Sequence, residues 1–225
     1  LIAGVKGKAS EIMQDATPLD NISSFALQKI LLKKPGMTKN ILSTDIKEFA
    51  LGYYSRTSSN FFPLIEKIKV ENDSTAKSES GGSKSEQNKN SGDTNSLFDA
   101  RQTLLIKNGK SVGILTPEET QALIFCYEKV NDSNIAVKDV LIGDKSTDFL
   151  LNVIESSYSV KAKVIDDKPS LIIKCNLFVK IADETDSASA LGHLPFAIVP
   201  DEVLVKAKRN LESNILSAIK KCTEL

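Results

Sequence analysis

The spacing of apolar residues is most regular in the second half of the chain. From Ser170 to Ala182 every odd-numbered residue is apolar, and Lys174, Asn176 and Lys180 lie at positions between them. The odd-numbered members are Leu171, Ile173, Cys175, Leu177, Val179 and Ile181. A period of two is typical of an antiparallel strand with one wet face. We predict that this strand follows another long strand, residues 149–165, and that a further strand covers residues 135–142.

Asn108-Gly109 separates two shorter strand patterns, residues 98–107 and 110–115. This dipeptide tolerates the positive φ angles of a type I′ turn, so the pattern predicts a β-hairpin. Directly after the hairpin, Thr116 and Glu119 have the spacing of a capping box, with a proline at the first helical position. We therefore predict a helix that runs to about residue 128.

The last predicted element is the longest helix, residues 201–225. Its apolar residues recur at helical spacing and form one stripe, composed of Val203, Ala207, Leu211, Ile215 and Ile219. Acidic residues stand at its start and two lysines near its end, as the helix dipole favours. The stripe predicts that one face of the helix is buried.

The first 70 residues predict a mostly helical region between two short strands. Residues 1–5 form the opening strand, which we expect to pair with strands upstream of residue 1. Two helices are predicted over residues 8–14 and 22–32, and a third, capped by Ser43 or Thr44, is predicted to run through residue 53. Pro63 is expected to open the second strand, residues 64–70.

Residues 71–96 contain a single apolar side chain, Ala76. Such a segment cannot bury enough apolar surface to offset the entropy of ordering it, so we interpret it as a flexible linker. It divides the chain into an N-terminal α+β domain, residues 1–70, and a C-terminal α+β domain, residues 97–225. The predicted fold class is therefore α+β, with two mixed domains, the second built on an antiparallel sheet and a long C-terminal helix.

Charge excludes one class of partner. The chain of 225 residues carries 29 Lys and Arg against 29 Asp and Glu, with 41% hydrophobic residues. Proteins that bind nucleic acid or anionic membrane surfaces normally carry a basic excess, and this sequence does not. There is also no apolar run long enough for a transmembrane helix. Three cysteines are too few for a disulfide framework or for a zinc site made of cysteine alone.

The candidate catalytic residues are weak ones. Ser74 and Lys77 match the S-x-x-K pattern of penicillin-recognising enzymes, but that motif opens a buried helix and here it falls in the predicted linker. His193, the single histidine, lies in an apolar loop and is interpreted as a loop residue rather than a catalytic base. Glu118 and Glu119 could form an acid/base pair, but capping the helix explains both.

The three cysteines, Cys126, Cys175 and Cys222, lie in apolar contexts without C-x-x-C spacing and are interpreted as structural thiols. There is no phosphate-binding glycine loop and no H-E-x-x-H. We therefore expect no catalytic residues, no cofactor and no metal ion, and the sequence alone assigns no ligand or partner contact.

Three regions, taken in order, carry a resemblance to a known family. The first is Leu1 to Met13, a strand, a turn of small residues and a helix, followed by the helices near residues 25–31 and 46–49 and by Phe62-Pro63-Leu64-Ile65. The second is Leu104 to Thr120, a strand, a Gly-Lys-x-x-Gly-x-Leu turn and a Glu-Thr helix, and the third is the long strand pair around Asp167-Lys168-Pro169-Ser170. In this order of elements the chain resembles the Ger(x)C spore germination lipoproteins, with Ile114 where that family usually has an aromatic residue.

This resemblance implies a non-enzymatic C subunit of a GerA-type nutrient germinant receptor. Members are lipoproteins on the outer face of the inner spore membrane, held by a lipid anchor that this sequence does not include. They work with integral-membrane A and B subunits in receptor assembly and germination signalling. The alternative is an extracytoplasmic lipoprotein that binds a small solute near His193, in residues 183–200 or between the two domains. A hydrolase based on Ser74 and Lys77 or on His193 is the third hypothesis.

Overall fold

The computed structural model describes residues 1–14, 27–28, 31, 40–69, 96–184 and 198–224. Four helices and seven strands in two sheets have their bounds within these residues, whereas most of the helix predicted over residues 22–32 lies outside them. In chain order the elements are β1 (Gly4–Val5), α1 (Ala9–Gln14), α2 (Ile46–Tyr53), β2 (Ser59–Lys69), β3 (Ser96–Lys107), β4 (Lys110–Leu115), α3 (Pro117–Tyr127), β5 (Ser133–Ile142), β6 (Lys145–Ile165), β7 (Lys168–Glu184) and α4 (Asp201–Thr223). The predicted α+β class is confirmed.

The first sheet has the order β1-β2-β3-β4, with β1 parallel to β2 and the other pairs antiparallel. The opening strand was expected to pair upstream, but Gly4 and Val5 pair with Leu64 and Ile65 inside the chain. Strand β2 begins at Ser59 and includes Pro63, so the prediction that Pro63 opens the strand is wrong. The sheet joins strands from both sides of the predicted linker, nearly all of which lies outside the described residues. The division into two domains stays a prediction.

The predicted hairpin is confirmed. Asn108 and Gly109 connect β3 to β4 with φ angles of 51° and 74°. The cap predicted for α2 is wrong, because Asp45 occupies that position and accepts the N–H of Glu48. Thr44 instead donates its hydroxyl to the carbonyl of Phe61 and is buried beside β2. The two predicted capping residues therefore lie before the true cap.

The second sheet has the order β5-β6-β7 and is antiparallel throughout. Strands β6 and β7 form a long hairpin around Asp166 and Asp167, whose φ angles of 50° and 58° match a two-residue turn with both central residues left-handed. The outer part of this hairpin extends past β5, so residues 157–165 are all exposed. We call residues 157–173 the hairpin arm.

The core joins the two sheets through the helices. Phe125 of α3 packs with Leu42 and Val153, whereas Val203 at the start of α4 packs with the β5 and β6 core. Near the other end of α4, Ala218 is buried against β3 and β4. Burying one large apolar side chain such as Phe125 contributes about 1.5–3 kcal/mol. Helix α4 is therefore held at both ends, once on each sheet.

Candidate functional site

Two of the candidate catalytic sites cannot be placed. Ser74 and Lys77, and also His193, lie outside the described residues, as does most of the loop proposed for solute binding. Across the part of the chain that the structure describes, no three His, Cys, Asp or Glu side chains come together as a metal site. In the same part, no helix is long and apolar enough to cross a membrane.

Of the two carboxylates, Glu119 has the capping role predicted for the pair. Glu119 is buried and accepts the backbone N–H of Thr116 at 2.8 Å, while the Thr116 hydroxyl accepts the N–H of Glu119. Glu119 also accepts the hydroxyl of Ser217 at 2.6 Å and the ammonium of Lys221 at 2.7 Å, both from α4. Glu118 is exposed. The buried carboxylate is thus fully engaged in joining two helices.

The electrostatics of Glu119 agree with that structural role. Burial raises the pKa of its carboxyl, but the hydrogen bonds from Lys221, Ser217 and the Thr116 backbone outweigh it and hold the pKa below the ordinary value. A general acid at neutral pH needs a raised pKa instead. Glu119 is therefore suited to a permanent charge that pairs with Lys221.

The cysteines are protonated thiols in the folded protein. Burial raises the pKa of Cys126 to about 11, and burial also raises the pKa of Cys175. Cys175 points inward, with its sulfur 3.5 Å from the carbonyl of Phe125. Cys222 lies on the exposed side of α4. Because the thiolate is the nucleophile, these environments favour the structural interpretation of Cys126 and Cys175.

A row of polar side chains crosses the wet face of the second sheet. Asn134, Asn152 and Lys180 occupy matching positions on β5, β6 and β7, and Asp132 lies just before β5. They line an open depression of about 580 Å³. The Asn152 amide donates to both Asp132 and Asn134 at 3.0 Å, so its donors are already used within the row. Only the even-numbered polar positions of β7 signalled this row in the sequence.

A larger apolar groove lies on the opposite face, between β7 and α4. It encloses about 1080 Å³, and one wall is the alternating set of β7: Leu171, Ile173, Cys175, Leu177 and Val179. The other wall is supplied by the α4 stripe, including Leu211, Ile215 and Ile219. Lys208 and Glu212, 3.9 Å apart, border it on α4.

The groove exists because α4 packs on α3 and β5 rather than closing onto β7. Side chains that the sequence predicted as core are consequently left partly open, and Leu171 is 55% exposed. Leu216, on the same helix, is 68% exposed. On the hairpin arm, Val160 and Ala162 continue the apolar face because they pair with Ile173 and Leu171. Exposed apolar surface of this extent is typical of an interaction site.

The sequence predicted the two apolar stripes that line this groove but did not predict the groove itself. Both apolar stripes were predicted, one on the strand and one on the helix, and each was expected to be buried. Nothing in their periodicity shows that they face each other across a gap. The signal that could have indicated a site is the length of the hairpin arm, since β6 and β7 exceed β5 by several residues.

The chain matches the model of a known protein family. The family described as "Spore germination B3/GerAC like, C-terminal" matches residues 101–225, which are 125 of the 225 residues. The matched region begins within β3 and includes α3, the whole second sheet and α4. No curated protein and no solved structure matches the chain. The apolar groove and the polar row both lie within the matched region.

Proposed function

The chain belongs to the GerAC-like family of spore germination proteins, and on that basis we propose that it acts without catalysis in the assembly and signalling of a nutrient germinant receptor. In this role it is the C subunit and works with integral-membrane A and B subunits. The observation that carries the proposal is the family match over α3, the second sheet and α4.

The contacts of the ionisable groups support a role in binding rather than in chemistry. Glu119 is neutralised by Lys221, Cys126 and Cys175 are protonated, and Asp99 is paired with Arg101 at 2.7 Å. A catalytic site needs a nucleophile and a base within hydrogen-bond reach of each other. The larger of the two depressions described above is instead an apolar groove, which offers contact area to another protein.

We also propose that a covalent lipid holds the protein at the outer face of the inner spore membrane. The balance of 29 basic and 29 acidic residues suits such an anchor, because a protein tethered covalently does not need a basic surface. A single lipid chain gives only marginal membrane binding, so contacts with the membrane subunits would supply the remainder.

Co-purification tests this proposal. The full-length protein, tagged and expressed from its own locus, is extracted from spores with mild detergent and captured. We expect the A and B subunits to be recovered with it, and spores lacking the protein to lose the response to at least one nutrient. If the subunits are absent from the captured material and nutrient responses are unchanged, the proposed role is wrong. A tagged unrelated spore lipoprotein is the control for nonspecific capture.

The polar row favours a second candidate, the binding of a small polar solute. Asp132 and Lys180 would supply one charge of each sign at the depression, as a zwitterion requires. Titration calorimetry with the nutrients that trigger germination tests this candidate. Heat of binding that disappears in Lys180→Ala would support it, whereas no heat with any effective nutrient would rule it out.

A further inference from the structure

The outer edge of β7 borders the apolar groove from Pro169 to Val179. We propose that this edge binds an extended segment of a partner subunit as an added strand, in which apolar residues alternate with Asp or Glu. The inference rests on the proposed function in one respect, which is that the partner is a receptor subunit. The chemistry of the segment follows from the edge, the groove and the charges beside them.

Among the described residues, β7 lies at the edge of its sheet. In the order β5-β6-β7, this strand of 17 residues pairs with β6 on one side and with no other strand of the described residues on the other. An edge strand presents a row of backbone N–H and C=O groups that an extended segment can satisfy. Addition of a strand is an established way in which proteins recognise peptides.

The groove has the length and periodicity that a strand requires. Its β7 wall runs from Pro169 to Val179, about 30 Å at the rise of a strand, and its α4 wall from Leu204 to Thr223 is also about 30 Å at the rise of a helix. A strand of about nine residues fills this distance. Because successive side chains alternate, every second one would face α4 and enter the groove, which requires those residues to be apolar.

The residues that face away from α4 would meet a cationic surface. The charged residues of β7 between positions 168 and 182 are all basic, namely Lys168, Lys174 and Lys180. Lys161 and Lys163 lie on the same face of β6, since they pair with Ile172 and Ser170. Glu155, opposite Phe178, is the acidic residue that this face carries alongside the groove. Acidic side chains at alternate positions of the bound segment would therefore be attracted along its length.

The charge of the lysine-rich face also argues against a second copy of this chain as the strand that pairs with the β7 edge. Pairing of two β7 edges would place two lysine-rich faces side by side, and like charges on neighbouring strands are destabilising. An amphipathic helix could cover the apolar groove, but it would leave the backbone groups of the β7 edge without partners from the bound segment. A strand with apolar residues on one face and acidic residues on the other fits the unpaired edge of β7, the apolar groove and the lysine-rich face together.

Synthetic peptides of about nine residues test the proposal, with affinity measured by fluorescence anisotropy on the full chain. The probe alternates valine with glutamate. One comparison peptide alternates valine with lysine, and another is the glutamate peptide with methylated backbone nitrogens along one edge, which cannot pair as a strand but keeps the side chains. We expect the glutamate peptide to bind at least about tenfold more tightly than either comparison peptide.

Charge reversal at the edge provides the matching protein variant. In Lys174→Glu combined with Lys180→Glu, the glutamate peptide should lose about tenfold in affinity and the lysine peptide should gain. Lys138→Glu, an exposed position on β5 at the opposite edge of the sheet, should leave both affinities unchanged. All variants are first compared by circular dichroism, so that a folding defect is not mistaken for a lost site.

Four outcomes would overturn the inference. Equal binding of the glutamate and lysine peptides would indicate apolar contact alone, and equal binding of the methylated peptide would exclude strand pairing. A dimer in light scattering that dissociates in Leu171→Asp would identify a second copy as the occupant. If the peptides fail to bind but the subunits still co-purify, this inference is wrong and the proposed function stands. If the glutamate peptide binds but the subunits do not co-purify, the strand-binding edge is supported and the proposed function is wrong.

Discussion

Lys221 donates a hydrogen bond to the buried carboxylate of Glu119 at 2.7 Å, and this contact joins the last turn of α4 to the first turn of α3. The side chain of Glu119 is 7% exposed and that of Lys221 is 41% exposed. The same carboxylate closes the capping box with Thr116 and accepts the hydroxyl of Ser217. One side chain therefore stabilises a helix end and fixes a helix that forms one wall of the groove.

We predict that Glu119→Ala lowers the free energy of unfolding by about 2–3 kcal/mol. The substitution removes the capping box and the hydrogen bond from Ser217. The ammonium of Lys221 loses its partner but can turn toward water, so the larger destabilisation expected of an unpaired buried charge is avoided. Urea unfolding followed by circular dichroism measures the change. Glu118→Ala, one position earlier and exposed, is the control and should change stability by less than about 0.5 kcal/mol. Equal losses in the two variants would contradict a special role for Glu119.

The stability of the protein should depend on the charge of Glu119. Its pKa in the folded protein lies below the ordinary value, so its contribution is fully present above the unfolded pKa of about 4.3 and is lost as the pH falls through the folded pKa. We expect stability to fall below about pH 4–5 in the wild type and to fall less steeply in Glu119→Gln. Thermal unfolding between neutral pH and pH 3 measures this difference.

Asp99 adds a second pH dependence that the wild type and Glu119→Gln share. The hydrogen bond from Arg101 holds the pKa of Asp99 below its usual value, so this carboxylate also loses stabilising charge as the pH falls. Asp99 is present in both proteins and contributes equally to each. Parallel curves for wild type and Glu119→Gln would show that Glu119 does not contribute to the acid sensitivity.

Local sequence features were sufficient to predict most of the turns and caps. Asn108-Gly109 determined the first hairpin through its tolerance of positive φ, and the spacing of Thr116 and Glu119 determined the start of α3. Both depend on residues within four positions of each other. The cap of α2 was misplaced because Thr44, a good capping residue in isolation, is taken up by a contact with Phe61, 17 positions away.

Long-range relationships were beyond the reach of the sequence. The parallel pairing of Val5 with Ile65 spans 60 positions, and the contact of Glu119 with Lys221 spans 102. Periodicity identifies which face of an element is apolar but does not identify the surface that covers it. For that reason the stripe containing Leu211 was expected in a closed core, whereas it forms a wall of an open groove.

Substitutions in the turn of the long hairpin should be able to raise the stability of the protein. Asp166 and Asp167 both adopt positive φ, a conformation that Asn-Gly adopts at lower cost. We predict that Asp166→Asn combined with Asp167→Gly raises the free energy of unfolding by about 0.5–1 kcal/mol. Urea unfolding measures the gain. Unchanged or lower stability would show that the two carboxylates make contacts that offset their backbone strain.

The short hairpin gives the converse prediction. Gly109 has a φ of 74°, and a Cβ at that position would lie 3.5 Å from the ring of Tyr53, an ordinary contact distance. Gly109→Ala should therefore lose about 1–2 kcal/mol through backbone strain alone. Val112→Ala in β4, a partly exposed position with ordinary φ, is the comparison. If Gly109→Ala costs no more than Val112→Ala, then the left-handed turn is not maintained in solution.

Thiol reactivity should report on the packing of the three cysteines. Cys126 is buried with a pKa of about 11 and should react with a thiol reagent at pH 8 only as fast as the protein opens. Cys175 is partly buried in the groove wall with its sulfur 3.5 Å from the carbonyl of Phe125, and burial raises its pKa, so it should also react slowly. Cys222 is exposed and should react first. Mass spectrometry after timed alkylation identifies each modified residue, and Cys222→Ser should remove the fast phase and leave the two slow ones unchanged. Rapid modification of Cys175 in that variant would show that the β7 wall opens without global unfolding, and slow modification in concentrated guanidinium would expose a reagent artefact rather than protection by the fold.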